Sequence, residues 1–367
     1  MKRKICCFLE SFELGGIESF LANVLLEMDI SALDLEIDII AAKITKNAYS
    51  EELEKLGVRF TELSGKLRCK KNFAMFSDII KRESYDVIHF NIFNGLALNY
   101  VRIAKKLGVK TRIVHAHGAG LRKSKTRFLK LVLHRFCSFL FRKSATHYLA
   151  CSSSAARFLF GNIPANIISN GIKTEAFKFS EDSRNKVRKE LSLNDEILVT
   201  HVGRMSGEKN HTFVLEVFKR YNAINHDSFL ALAGDGPLRE EYESYAKELN
   251  INERVKFLGN ISNTAELLCA SDFFIFPSIV EGLGIAAIEA QACGLYAICA
   301  DTLPREANIT DRFISLPITE PSIWATKMSE LSPSHERARY ADTVKKAGFD
   351  ISAPASQISN LYRGVDL

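Results

Sequence analysis

The sequence predicts an α/β protein of two domains, each built on a doubly wound parallel sheet. Three observations carry that prediction. Short apolar runs rich in Ile, Val and Phe alternate with helical patterns in both halves of the chain, and such alternation places parallel strands side by side with helices on both faces. Glycines follow several of these runs, so turns and helix N-termini line the carboxyl edge of each sheet, where ligands bind in such folds. The length of 367 residues suits two domains, each large enough to bury its own core.

In chain order, Lys4–Leu9 reads as a strand, followed by Glu13-Leu-Gly-Gly-Ile-Glu18 and a helical pattern to about Met28. Leu35–Ala42, Tyr85–Phe90, Thr111–His117 and Thr146–Cys151 read as strands, with helical stretches at 95–107 and Ser152–Phe160. The second half repeats the pattern. Ile197–Val202, Ser228–Ala233, Val255–Leu258, Phe273–Phe276 and Tyr296–Ala300 read as strands. Thr212–Tyr221, a stretch after Pro237 to about Leu249, Ile285–Ala292 and Ser352–Tyr362 read as helices. The linker falls near Asn170–Phe179.

Composition narrows the class. With 47% hydrophobic and 25% charged residues, wholesale disorder and collagen are excluded. No segment approaches the roughly 20 apolar residues that span a bilayer. The start opens like a secretory signal, but its apolar core stops at Glu10, so none is expected. The eight Cys form no C-x-x-C pair and no Cys/His zinc spacing, which points to reduced thiols. The net charge of +6 hides an asymmetry: residues 1–173 carry 28 Lys+Arg against 15 Asp+Glu, and residues 174–367 carry 21 against 28. The basic half should face an anion, whether nucleic acid, phosphate or a membrane surface. No nucleic-acid-binding motif accompanies the charge, so nucleic acid is not expected.

Four constellations bear chemistry. In Glu281-Gly-Leu-Gly-Ile-Ala-Ala-Ile-Glu289, a glycine turn can bring Glu281 back over a helix N-terminus whose free N–H groups favour a diphosphate. Carboxylates at both ends suit polyol hydroxyls; the bland alternative is two solvated glutamates at a helix start. Val202-Gly-Arg-Met-Ser-Gly-Glu-Lys-Asn210 offers Arg204 and Lys209 across a loop after a strand. These residues grip phosphate, or simply form a basic surface loop. Gly15 and Gly16 open the first helix and let a backbone approach phosphate closely, although glycine turns after strands are common. His115 and His117 share one face of a strand end. With no third ligand nearby, zinc is not expected, and the pair is either structural or a donor to a sugar hydroxyl or phosphate. A rival remains: Gly282–Ala287 fits the dinucleotide pattern G-x-G-x-x-G/A, with Asp301 closing the next strand about 20 residues on. Only 66 residues follow Asp301, whereas a dinucleotide fold continues through several more strands.

Taken together, Gly15-Gly16, His117, the G-R-x-S-x-x-K run ending at Lys209, Gly234-Asp-Gly-Pro237 and the E-x7-E pair resemble the family 4 retaining glycosyltransferases. The resemblance implies a GT-B fold, two Rossmann-like domains facing each other across a deep cleft. It implies residues 1–173 as the acceptor-side domain, joined by a returning C-terminal helix within 352–367, and residues 174–351 as the donor-binding domain. It further implies sugar transfer from a nucleotide-diphosphate donor, UDP favoured over GDP, with no cofactor and no metal. The sequence has no D-x-D motif. Residue by residue, Arg204 and Lys209 should bind the diphosphate, with Gly15, Gly16 and Gly234 beside it. Gly282, Leu283 and Gly284 should form the turn at the donor. Glu281 should bind the transferred sugar, Glu289 the ribose, and His117 should stand at the reacting face. Two positions depart from the family pattern. Lys173 stands where an acidic residue or Asn is usual, and Tyr296 where proline is usual.

Residues 122–143 hold eight Lys+Arg. Arg127, Lys130, His134, Ser138 and Arg142 fall at helical spacing as a polar stripe on an otherwise apolar helix. Such a helix either solvates that stripe or lies at an anionic membrane surface; Lys66, Arg68, Lys70 and Lys71 form a second basic cluster. The surface suggests a glycan or polyprenyl-diphosphate-linked acceptor and a cytoplasmic enzyme peripheral on the plasma membrane. Two alternatives stay open, a non-catalytic nucleotide-sugar-binding subunit and the NAD-dependent oxidoreductase.

Overall fold

Ile5 to Leu9 are fully buried in a computed structural model of the chain, which describes residues 2–13, 15–64, 70–121, 127–334 and 336–366. Adjacent Cys6 and Cys7 are both at zero exposure, as expected of a central parallel strand covered on two faces. The chain divides into two units, residues 1–171 with 351–367, and residues 172–350.

The first unit holds strands β1 (Arg3–Leu9), β2 (Leu35–Ala41), β3 (Arg59–Glu62), β4 (Val87–Ile92), β5 (Thr111–Ala116), β6 (His147–Ala150) and β7 (Asn166–Ile167). They form one parallel sheet in the order β3-β2-β1-β4-β5-β6-β7. Ile5 stands between Ile37 and Val87, so the middle of the sheet is a continuous apolar layer. Its helices are α1 (Gly16–Glu27), α2 (Ala48–Lys55), α3 (Lys70–Glu83), α4 (Leu98–Lys106), α5 (Arg127–Phe141) and α6 (Ser153–Phe160).

The second unit comprises α7 (Glu181–Glu190), β8 (Ile197–Val202), α8 (His211–Ile224), β9 (Ser228–Ala233), α9 (Arg239–Glu248), β10 (Val255–Gly259), α10 (Thr264–Ala270), β11 (Phe273–Phe276), α11 (Ile285–Ala292), β12 (Tyr296–Ala300), β13 (Phe313–Leu316), α12 (Pro321–Ser329) and α13 (Arg339–Val344). Its parallel sheet runs β10-β9-β8-β11-β12-β13. The last helix, α14 (Ser352–Arg363), belongs to the first unit. There Tyr362 is fully buried, its hydroxyl 2.8 Å from His89 Nδ1 and 3.3 Å from Cys7 Sγ.

The doubly wound α/β architecture read from the sequence is present in both units. The strands it did not name lie at the rims, and it also left helices α2, α3, α7, α10, α12 and α13 unnamed. β3 (RFTE), β7 (NI) and β13 (FISL) are outer strands of four residues or fewer with little burial, too short for their composition to mark them.

One expectation is corrected. The polar stripe of α5 is not turned wholly to water. His134 and Ser138 are buried. His134 Nε2 donates to Phe158 O at 3.0 Å, its Nδ1 accepts from Gly95 N at 2.8 Å, Ser138 Oγ donates to Leu159 O at 2.5 Å, and Arg142 donates to Phe160 O at 2.6 Å. Those carbonyls end α6, where a helix has acceptors without intrahelical donors. Satisfying them outweighs hydrating the stripe. Of the basic residues read from the sequence, Lys66, Arg68, Arg122, Lys123 and Lys125 lie outside the described residues.

Candidate active site

In the second unit the chain moves outward from β8 through β9 and β10, then crosses to β11 on the other side of β8. The loops leaving β8 and β11 therefore diverge at the carboxyl edge, the switch point where such sheets bind ligands. The β8 loop carries Arg204 and Lys209, and the β11 loop carries Glu281, Gly282, Leu283 and Gly284.

Those loops bring Lys209 and Glu281 together. Lys209 Nζ donates to Glu281 Oε1 in an ion pair, and Ser278 Oγ donates to the same oxygen at 2.5 Å. Lys209 Nζ also stands 5.0 Å from the Phe276 ring centroid, a cation–π contact. The side chains keep 21% and 13% of their exposure, so both can still meet a ligand. The loops are tied to each other as well: Ile279 N donates to Glu208 O at 2.8 Å and Asn210 Nδ2 to Pro277 O at 3.3 Å. Ser278 and Phe276 were not identified from the sequence: Phe276 meets Lys209 from a distant part of the chain, and no motif marks the bond from Ser278 to nearby Glu281.

Arg204 is exposed on the β8 loop, and its guanidinium makes no hydrogen bond to another described residue. Gly234 holds that loop in place. At φ +125°, a Cβ there would fall 2.1 Å from Gly203 O, so only glycine lets the β9 turn lie against the β8 turn. Met205 N donates to Asp235 O at 2.9 Å across the same contact. Gly234 thus shapes the loop that presents Arg204.

Gly284, at φ +89°, precedes α11 and takes hydrogen bonds from Ala287 N and Ile288 N. The N–H groups of Ile285 and Ala286 come before that ladder and face the turn, an anion-ready helix start. The Leu283 side chain is buried, so only its backbone can face a ligand. Glu289 sits half-buried in the second turn of α11 without a hydrogen bond to another described residue. Burial pushes its carboxyl up to about 7. The two glutamates therefore differ: Glu281 is ion-paired, whereas Glu289 is poised near neutrality.

In the first unit, Gly15 and Gly16 are exposed after β1 and open α1. The Glu18 carboxylate folds over Gly15, lying 2.5 Å from where a Cβ would stand, and takes a hydrogen bond from Ser11 Oγ at 3.3 Å. A carboxylate thus stands at the helix start that the sequence reading reserved for phosphate. His117 is 4% exposed, its ring centroid 4.1 Å from that of His115 and tilted by 33°. Its Nε2 lies 3.1 Å from Asn91 Oδ1. An amide oxygen accepts, so Nε2 carries the proton and Nδ1 keeps a lone pair, unpartnered among the described residues. Burial lowers the His117 pKa to about 3. The ring is neutral, and its open nitrogen is an acceptor where the sequence reading expected a donor.

Residues 182–331 match the family described as glycosyl transferases group 1, and residues 14–176 match Glycosyltransferase Family 4. The chain is a glycosyltransferase of family 4. It is 27% identical over 380 residues to EpsF of Bacillus subtilis (strain 168), covering 98% of this chain and 96% of that one. It is 27% identical over 253 residues to UDP-Gal:alpha-D-GlcNAc-diphosphoundecaprenol alpha-1,3-galactosyltransferase of Escherichia coli, covering 66% of this chain and 65% of that one. In fold it is similar to HepE of Anabaena in complex with UDP and glucose, with a TM-score of 0.81, 18% identity and coverage of 99% and 100%. The fold is GT-B and the family is a retaining one. The dinucleotide reading gives way. Gly282–Ala287 do form a strand–turn–helix, but β11 is the fourth strand of its unit, and among the described residues only β12 and β13 follow it.

Proposed function

We propose that this glycosyltransferase moves a sugar, with retention of configuration, from a UDP-sugar to a polyprenyl-diphosphate-linked or glycan acceptor in surface polysaccharide assembly. The work would take place at the inner face of the plasma membrane. The observation that carries the reading is the Lys209–Glu281 pair beside Arg204 and the open N-terminus of α11. Cations and N–H groups suit a diphosphate, and carboxylates suit sugar hydroxyls. UDP and a diphosphoundecaprenol acceptor are supported by the names of the Anabaena and Escherichia coli proteins; a GDP-sugar is the second donor to test.

In the proposed reaction the bond between sugar C1 and the phosphate oxygen breaks. The acceptor oxygen bonds to C1 on the same face, and its proton passes to the leaving phosphate. Negative charge grows on that phosphate, and prepositioned Arg204, Lys209 and the α11 N–H groups stabilise it more than the ground state. Each charge-assisted contact contributes roughly 1.5–3 kcal/mol. Lys209 must leave Glu281 to do so, and sugar hydroxyls donating to Glu281 replace it. Glu289 would accept from the ribose. The second unit is the donor side and the first the acceptor side, where neutral His117 Nδ1 would accept from a hydroxyl.

Melting temperatures with UDP, GDP, ADP and NAD, with and without EDTA, test the donor. At 100- to 1,000-fold excess over its dissociation constant the right ligand stabilises by about 3–4 kcal/mol. A UDP shift indifferent to EDTA is expected, and a shift with NAD alone would overturn the reading. A chain that binds UDP yet transfers nothing would be the non-catalytic subunit.

A further inference from the structure

Helix α5 is inside out. Its buried residues are polar, His134 and Ser138. Its apolar residues point away: Phe128 is 81% exposed, Phe139 71%, Phe136 59%, Leu129 58%, Val132 48% and Leu140 46%. At 100° per residue these six fall on one side of the helix, opposite the two buried residues. The inward stripe is bonded to α6 carbonyls and to Gly95 N, so the outward face is held there by satisfied hydrogen bonds. A contiguous apolar face of this kind on a water-exposed helix marks an interaction surface.

The charge around it selects the occupant. Residues 87–173 contain fifteen Lys or Arg and no Asp or Glu. On α5 itself, Lys130 and Arg135 flank the apolar face, and both are exposed. Lys105 and Lys106 are exposed at the end of α4, the helix that packs beside α5. A second copy docking on this face would set cationic rim against cationic rim. An anionic bilayer offers acyl chains for the centre and phosphate headgroups for the rim.

We propose that α5 inserts its apolar face into the interfacial region of an anionic lipid bilayer, held in plane by the polar stripe that docks it to α6. This deepens the membrane-side acceptor reading, because it turns a basic surface that would only adsorb into a wedge that enters the acyl boundary. Hydrophobic insertion, unlike adsorption, survives high salt.

The test uses the full chain and vesicles of phosphatidylglycerol with phosphatidylcholine. Phe136→Trp places a reporter on the face, and the native Trp324 is buried with its N–H on Pro317 O. Expected are co-sedimentation that persists in 0.5 M NaCl, a blue shift of the new tryptophan on adding vesicles, and at least tenfold weaker binding for Phe136→Asp with Phe139→Asp. The UDP-induced melting shift should be unchanged in that double variant, which also verifies that it folds. Binding abolished by salt and untouched by the Asp variants would overturn insertion. So would absence of vesicle binding in a chain that still responds to UDP. A concentration-dependent dimer dissolved by the Asp variants would also overturn it, by showing that a second copy covers the face. Vesicle binding without any nucleotide response would instead overturn the donor reading alone.

Discussion

Lys209 and Glu281 are ion-paired with each other, and that has a measurable consequence. Removing Glu281 frees a cation at the proposed diphosphate position while deleting the group proposed for the sugar. Glu281→Ala should therefore bind UDP as well as or a few-fold more tightly than the parent, and lose transfer by about 10²–10³. Calorimetry and a transfer assay separate the two; equal loss of both would contradict the division of labour. Glu289 offers a pH signature. Its carboxyl, raised to about 7 by burial, accepts hydroxyl hydrogens best when ionised. Donor affinity should rise as pH goes from 6 to 8, and Glu289→Gln should flatten the profile. Arg204, Lys209, Glu281 and Glu289 were nominated from spacing and chemistry, and the structure pairs Lys209 with Glu281. Phe276 beneath Lys209 and Asn91 beside His117 were not, since a contact between separate segments leaves no local pattern; nor was Ser278, whose bond to nearby Glu281 no motif marks.

At the level of elements, the central strands announced themselves, whereas the short outer strands and several helices did not, α10 among them although five of its seven residues are buried. The core strands β1, β8, β9, β11 and β12 are largely apolar because helices cover both faces. Outer β3 and β13 carry mixed side chains and are silent. Helix α5 misled in a specific way. A polar stripe at helical spacing fits solvation as well as docking, and only the carbonyls at the end of α6 decided for docking. The β8 and β9 turns supply a test. In Gly234→Ala, a methyl would meet backbone at 2.1 Å, which cannot yield as a side chain would. The variant should lose more than about 1 kcal/mol of stability and, by displacing Arg204, weaken UDP binding. Denaturant midpoints and calorimetry check both; a native midpoint with native affinity would remove Gly234 from the loop's support.

Across the whole molecule, buried neutral histidines set the acid limit. Burial lowers His89 and His117 to about 3 and His201 to about 4, and His115 and His211 are lowered likewise. The folded state refuses protons that the unfolded chain accepts below about 6.5, so stability falls as pH drops from 6.5 towards 4. His134 is lowered by burial too, so Glu289, which opposes this between about 4.5 and 7, stands as one group against six. The melting temperature should decline steadily over that range. His211→Phe should blunt the decline while leaving stability at pH 7.5 nearly unchanged, because that ring stacks on Tyr242 and its nitrogens have no partner among the described residues. An unaltered slope in the variant would relieve His211 of that role.

By itself the sequence determined the two doubly wound units and the family, and it nominated four charged residues for the proposed donor site. Strand periodicity, glycine turns and motif spacing are properties of neighbours along the chain. Only the tertiary structure decided which groups face each other: that Lys209 is held by Glu281, that Glu18 covers Gly15, that His117 presents a lone pair, and that α5 turns its apolar side outward. Each depends on a partner far away in sequence, where burial and hydrogen-bond satisfaction, not local pattern, choose the outcome.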